Sequence, residues 1–284
     1  MNSDLNIPYF DDSIKIETNN SSIDIKWKFH PRFKQEIMLY VPSIFWNLSK
    51  ETLTTVFNEL TKKFSETSRS WLVFILKEEV YNSSLINTLN HCGVVHYITE
   101  LNSELNLQKF SHKEVITKEF SIEQLIQGKW KNEIDNENSR IWHSLWNLEK
   151  ITSDDIPDRE GFKHEALQEF YSRFQSGESS IETIFIAIKN NIIIGLTYCW
   201  FDNDIPNIYF TGVLKEYRGL GIGTLLKSNM TDFLKSLKYL TLRTNNKENN
   251  SSILLTNYKL GFKIIYKTYL YRLQLKTAIK KKND

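Results

Sequence analysis

The residues whose types and spacing can do chemistry lie in one stretch, Arg218-Gly219-Leu220-Gly221-Ile222-Gly223-Thr224. It sits between an alternating apolar segment, Ile208 to Val213, and a run with Leu225, Leu226, Met230, Phe233, Leu234 and Leu237 at helical spacing. That order reads as strand, glycine-rich loop and helix. The first amides of a helix have no partner inside it, and the helix dipole is positive at that end. Glycines let an anion approach those amides without meeting a Cβ, so the stretch predicts a phosphate site. A dinucleotide fingerprint does not fit, because it needs G-x-G-x-x-G and the glycines here run G-x-G-x-G. It also needs an acidic residue ending the next strand, and Tyr239 to Arg243 runs into Thr244-Asn245. A P-loop needs Gly-Lys-Ser/Thr, and Gly223 is followed by Thr224-Leu225.

What does fit is Arg-x-x-Gly-x-Gly with Val213 five residues upstream. Further on, Arg243-Thr-Asn-Asn246 and Asn250-Ser-Ser-Ile-Leu-Leu-Thr-Asn257-Tyr-Lys-Leu-Gly261-Phe262 follow the pattern N-x-x-x-N-x-x-M/A-L-x-x-N-x-x-L-G-F. Together these motifs resemble the GNAT N-acetyltransferase superfamily, in the version seen in two-repeat members such as mycothiol-synthase-like acetyltransferases. The likeness to those members is in layout and does not name a substrate. It covers about Val115 to Leu275 and implies an α/β (α+β) GNAT fold, a mixed central sheet with flanking helices. It also implies acetyl-CoA as co-substrate and no metal. By that resemblance the amides of Arg218, Gly219, Leu220, Gly221, Ile222, Gly223 and Thr224 hold the pyrophosphate. Backbone groups of Thr211, Gly212 and Val213 contact the pantetheine and thioester, where the motif strand splays from its parallel neighbour. Asn250 reaches the pantetheine arm, and Lys215, Lys227 and Lys247 are candidates for the adenosine 3′-phosphate.

Acetyl transfer to an amine needs a thioester held still, its carbonyl polarised and the amine deprotonated. One N–H aimed at the developing oxyanion contributes on the order of 3 kcal/mol. For the acid and base the sequence departs from its relatives. Many carry Glu on the motif strand six residues before the valine; here that position is Asn207, which takes no proton at neutral pH. Many carry Tyr four residues before the Gly-Phe glycine; here that position is Asn257. Tyr258 follows one residue later, roughly 100° around the helix. Tyr258, Tyr209 and Asp204 are the candidate catalytic residues, with Asp202 as a further outlet for the amine proton. A thiol pKa of about 8.5 makes an acid less necessary than a base.

The rest of the chain must position these groups. Its 284 residues are long for one small α/β domain and predict two, a degenerate GNAT-like half over 1–110 and the catalytic domain over 111–284. In the first half Ile23 to Phe29, Lys34 to Val41, Trp71 to Leu76 and His96 to Leu101 read as strands. Ser49 caps a helix over Lys50 to Phe64, and a second helix runs from Ser83 to His91 toward Gly93. Residues 1–20 are polar and read as loosely ordered. The strand–helix order repeats that found after Ile208, but Pro42 to Ser49 contains no glycine. This half is therefore expected to bind no coenzyme and to pack against the catalytic half or wall its cleft.

In the second half Leu107 to Lys113 reads as a linker, Val115 to Phe120 as a strand and Ser121 to Gln124 as a helical turn. Helices follow over Asn138 to Leu148 and Lys163 to Phe174. The acidic segment Thr152 to Asp158 between them either attracts a cationic amine or serves as a capped, solvated turn. Ile181 to Ile188 and Ile192 to Trp200 form a hairpin through Asn190-Asn191. Asp202 to Pro206 is a second turn. After the glycine loop come a strand over Tyr239 to Thr244 and a helix over Ser251 to Leu260 stopped by Gly261. A final hairpin over Phe262 to Ile265 and Thr268 to Leu275 closes the chain.

The net charge of +2 argues for neither nucleic acid nor an anionic membrane, and no apolar run approaches a membrane span. The N-terminus is not a signal peptide, and Cys92 and Cys199 have no metal or redox spacing, so a cytoplasmic protein is expected. The leading expectation is an N-acetyltransferase acting on a small amine or a peptide N-terminus, as a monomer or homodimer. The alternatives are a non-catalytic acyl-CoA-binding or regulatory protein of the same fold and a transferase for a longer acyl group.

Overall fold

The computed structural model describes residues 12–17, 22–30, 33–111, 119–157 and 162–275. The chain divides into two compact units, Met1–Glu100 with Glu160–Lys163 and Tyr266–Asp284, and Leu101–Arg159 with His164–Ile265. The sequence puts the division near residue 110 and keeps the last strand in the second half. The structure places it within a long strand and gives the end of the chain to the first unit.

The first unit contains β1 (Asp12–Glu17), β2 (Ser22–Phe29), β3 (Glu36–Tyr40), α1 (Lys50–Phe64), β4 (Trp71–Lys77) and α2 (Ser83–His91). It also holds the start of β5 (Val94–Asn106) and most of β11 (Lys263–Gln274). Its strand order is β1-β2-β3-β4-β11, with β3 parallel to β4 and the other pairs antiparallel. β1 was not expected in the polar opening. It forms because Ile14 and Ile16 alternate onto the core and pair with Ile25 and Ile23. Ser49 caps α1 as expected, its side chain accepting from the Thr52 amide at 3.2 Å. The glycine-free segment before it is filled by Phe45 and Trp46, buried against Phe57 and Phe74. β11 is one strand and not the hairpin the sequence predicts. Tyr266-Lys267 lacks a turn-forming residue, and the Lys267 amide donates to Glu78 Oε2 at 2.8 Å.

The second unit contains β6 (Ser121–Gln124), α3 (Arg140–Ser153), α4 (Leu167–Gln175), β7 (Phe185–Lys189) and β8 (Ile192–Asp202). β9 (Ile205–Val213), α5 (Ile222–Ser236), β10 (Thr241–Lys247) and α6 (Ser251–Leu260) complete it. Its strand order is β10-β9-β8-β7-β6, with β10 parallel to β9 and the rest antiparallel. Ser121 to Gln124, expected as a helical turn, is a strand paired with Phe185 to Ile188; so short a segment carries no readable period. The strand expected from Val115 lies mostly outside the described residues. Leu107, expected in a linker, is buried, and its amide donates to the Leu240 carbonyl at 2.9 Å. Asn190 and Asn191 have φ of 50° and 63°, as a tight hairpin turn demands, and Asn203 and Asp204 repeat this at 46° and 66°. Among the described residues no helix is long and apolar enough to cross a membrane.

α3 crosses β9 at close range. A Cβ on Gly212 would stand 2.3 Å from Thr152 Oγ1 and 2.7 Å from Phe210 Cε1. Gly212→Ala should therefore lower stability by about 1–3 kcal/mol. Thermal melts of the two proteins check this, and equal midpoints would mean that α3 can withdraw freely.

Candidate active site

The site is built where β9 and β10 part. Their parallel pairing covers only Arg243↔Asn207 and Thr244↔Ile208. On the other side of β9, Tyr198 opposes Phe210 and Cys199 opposes Ile208, so Tyr209 is an extra residue in a β-bulge. A bulge bends its strand and sharpens the local twist. From Phe210 to Val213 the edge of β9 that faces β10 consequently has no strand partner among the described residues.

The chain leaves β9 through a 3₁₀ turn, Lys215–Tyr217, and enters the glycine loop. Gly219 and Gly221 both lie in the left-handed region, with φ of 82° and 77°. A Cβ at either would meet nothing within 4 Å, so these glycines are needed for conformation and not for space. Gly221 is the N-cap of α5, and no side chain caps the helix. None of the amides of residues 219–224 has an acceptor among the described residues, whereas Leu225 N reaches the Gly221 carbonyl at 3.0 Å. Unpaired amides on a helix start fit a diphosphate.

Arg218 braces this loop. Its Nε donates to the Val213 carbonyl at 3.0 Å, and its terminal nitrogen pairs with Asp155 Oδ2 at 2.5 Å. One side chain of the acidic segment is thus held by the loop; Asp158 lies outside the described residues. Thr211 exchanges a hydrogen bond with Thr197 at 2.8 Å, and Val213 Cγ2 would lie 3.9 Å from a Cβ on Gly223. Leu220 is exposed, Ile222 is buried in the core and Thr224 is half-buried. Asn250 is the N-cap of α6, and its side chain makes no capping bond.

The catalytic candidates are not brought together. Tyr209, at the bulge, is 37% exposed beside the open edge. Asp204 stays at the hairpin tip, seven residues of extended chain from Thr211 and so roughly 23 Å away. Tyr258 faces outward on α6, 78% exposed, while Asn257 beside it is buried. Of the three lysines considered for the 3′-phosphate, Lys227 is corrected. It is fully buried, so its amine cannot reach a solvent-exposed phosphate. Lys247 Nζ donates to the Pro157 carbonyl at 2.6 Å.

The sequence reading missed a buried ionic cluster behind Tyr209. Arg173 on α4 donates to Glu149 at 3.3 Å, to Glu165 at 2.5 Å and to the Tyr198 hydroxyl at 3.0 Å. Tyr198 in turn donates to Glu149 Oε2 at 2.5 Å. The Tyr209 ring stacks on Tyr198 with centroids 5.4 Å apart, and the Arg173 guanidinium lies 4.7 Å from its centroid. Burial and the Glu149 carboxylate push the Tyr198 hydroxyl well above its ordinary pKa. Burial alone would lower Arg173, but Tyr198, Glu149, Tyr209 and Glu165 keep it protonated. Lys227, named above for the 3′-phosphate, instead donates from Nζ to Asn257 Oδ1 at 2.5 Å. Burial pushes its amine down to about 7. Each of these charges sits on the apolar stripe of its helix, Glu149 near Leu145 and Leu148, Arg173 between Phe170 and Phe174, Lys227 between Leu226 and Met230. That placement was the available signal.

The Acetyltransferase (GNAT) family model matches residues 142–262. A GCN5-related N-acetyltransferase from Sphaerobacter thermophilus matches over 90% of this chain and 78% of its own, at 12% identity and a TM-score of 0.68. A tandem GNAT protein from the clavulanic acid biosynthesis pathway matches over 90% of this chain and 79% of its own, at 12% identity and a TM-score of 0.57. A GCN5-related N-acetyltransferase from Kribbella flavida matches over 92% and 89%, at 11% identity and a TM-score of 0.56. At such identities the likeness is one of fold. Comparison with curated proteins found no match. The glycine loop, the parted strands and α6 all fall within residues 142–262, the segment that matches the GNAT acetyltransferase family model.

Proposed function

We propose that the protein is an acetyl-CoA-dependent N-acetyltransferase whose acceptor is a small amine or a peptide N-terminus. The observation that carries this reading is the continuity of the unpaired loop amides with a strand edge. The amides of residues 219–224 sit on the start of α5, and the edge of β9 without a strand partner among the described residues runs from Val213 back to Phe210. The coenzyme supplies an acyl thioester. The loop amides bind its diphosphate, each charge-assisted bond contributing about 1.5–3 kcal/mol. The β9 edge at Thr211, Gly212 and Val213 orients the arm and donates to the acyl carbonyl oxygen. Asn250, with an uncommitted side chain at the start of α6, is placed to hold the arm as well.

On the acceptor side, Tyr209 is the catalytic candidate kept. Behind it Arg173, paired with Glu149 and Glu165, lies against the Tyr209 ring and holds it in place. Asp204, at the hairpin tip, and Tyr258, on the outer side of α6, take no part. The first unit is proposed to bind no coenzyme, since Ser49 already caps α1 and aromatic side chains fill the preceding segment.

Incubation with acetyl-CoA and a broad panel of amines, followed by thiol release, tests the reading. Turnover that depends on the amine is expected. Binding of acetyl-CoA without release on any amine would favour the second reading, a non-catalytic acyl-CoA-binding protein. That reading draws on Asn207, a neutral residue where many relatives have a carboxylate, and on the outward-facing Tyr258. No binding at all would overturn both.

A further inference from the structure

Lys227 lies one turn beyond Gly223 on α5, and its side chain is wholly enclosed. Among the described residues no carboxylate pairs with its amine. The neighbours are the Phe262 ring, 6.0 Å to the centroid, and the Cys199 thiol, which burial holds protonated. Its one hydrogen-bond partner among the described residues is Asn257 Oδ1, at 2.5 Å. An ammonium or amine buried this way is retained at a cost in stability, so it asks for an explanation.

The chemistry of the chain leading away from it supplies one. With Lys227 Nζ donating to Asn257 Oδ1, the Asn257 amide turns its nitrogen away from the lysine. The Asn257 Nδ2 group must then donate onward, and it does so to Asn246 Oδ1 at 2.7 Å. Thr244 Oγ1 also donates to Asn246 Oδ1, at 3.3 Å. With its oxygen doubly engaged, Asn246 turns its Nδ2 group away from the chain, and that group has no acceptor among the described residues. The aligned side-chain dipoles start at the lysine nitrogen and end with their positive side on Asn246.

Asn246 stands two residues past Thr244, the last β10 residue paired with β9, and so on the parted stretch. It is half-buried. Asn257 occupies the position where relatives carry a tyrosine. We propose that Asn246 Nδ2 is a binding donor for a carbonyl oxygen of the coenzyme's arm, amide or thioester, and that Lys227 is the positioning residue that orients it through Asn257. This rests on the coenzyme reading above.

The test compares two ligands on the full chain by calorimetry. Acetyl-CoA carries the arm; adenosine 3′-phosphate 5′-diphosphate keeps the diphosphate and lacks it. Asn246→Ala should weaken acetyl-CoA by about tenfold and leave the nucleotide unchanged, as one hydrogen bond to a neutral acceptor predicts. Lys227→Met removes the donor that orders the chain while filling its volume. It should show the same split between ligands in a protein that circular dichroism shows to be folded. A purely structural role for Lys227 would move the melting temperature and leave the split untouched. If Asn246→Ala weakens both ligands equally, or neither, the assignment of Asn246 is overturned. If Lys227→Met preserves the parental ratio while Asn246→Ala does not, the positioning role is overturned. A parent protein that binds neither ligand would overturn the coenzyme reading itself.

Discussion

Gly221→Val is expected to weaken acetyl-CoA binding by about a hundredfold or more while the protein stays folded. Gly221 holds φ of 77° at the N-cap of α5. For a β-branched residue that conformation is a true outlier, costing roughly 1–3 kcal/mol. The local backbone relieves the strain by leaving the left-handed region, and the amides that follow then turn off the diphosphate. Loss of two charge-assisted bonds at about 1.5–3 kcal/mol each corresponds to at least two decades in affinity. Calorimetry reads the affinity, and circular dichroism reads the fold. Unchanged affinity in a folded variant would mean that the diphosphate is bound elsewhere.

Arg173→Met should produce the largest loss of stability. The substitution leaves Glu149 and Glu165 enclosed without their cation and removes a donor from Tyr198. Breaking a buried pair in this one-sided way costs about 3–5 kcal/mol. In a chain of this size that lowers the melting temperature by roughly 6–20 °C. The reasoning makes a sharper demand. Adding Glu149→Gln and Glu165→Gln to the variant removes the stranded charges and should restore part of the loss. If the single variant melts with the parent, the cluster is hydrated and the Tyr209 ring is held by packing alone.

How far the sequence disclosed this architecture depends on the range of the interaction involved. α1 was read at its true bounds because its cap and apolar stripe are local. The Asn190-Asn191 hairpin and the stop at Gly261, with φ of 91°, were read for the same reason, since both are set by the residue's own backbone freedom. β6 was misread because four residues show no period, and its strand character comes from β7. β11 was split in two because an aromatic–lysine pair looked like a break, whereas its partner β4 lies almost two hundred positions earlier. The glycine loop was legible for the chemistry its bare backbone allows. Glu149, Arg173 and Lys227 were not, because a charge on an apolar stripe announces a partner without saying which one. Their partners lie on other elements, and only the folded chain brings Arg173 to Glu149 and Lys227 to Asn257.

The contrast between the starts of α1 and α5 carries a last consequence. One helix begins with a serine that closes its own first turn; the other begins with a bare glycine and leaves that turn unfinished. What the first helix finds in its own sequence, the second must borrow from a visiting anion. On the function proposed above, the coenzyme is a missing structural part as well as a reagent, and the first turn of α5 becomes as well ordered as the cell's supply of it permits.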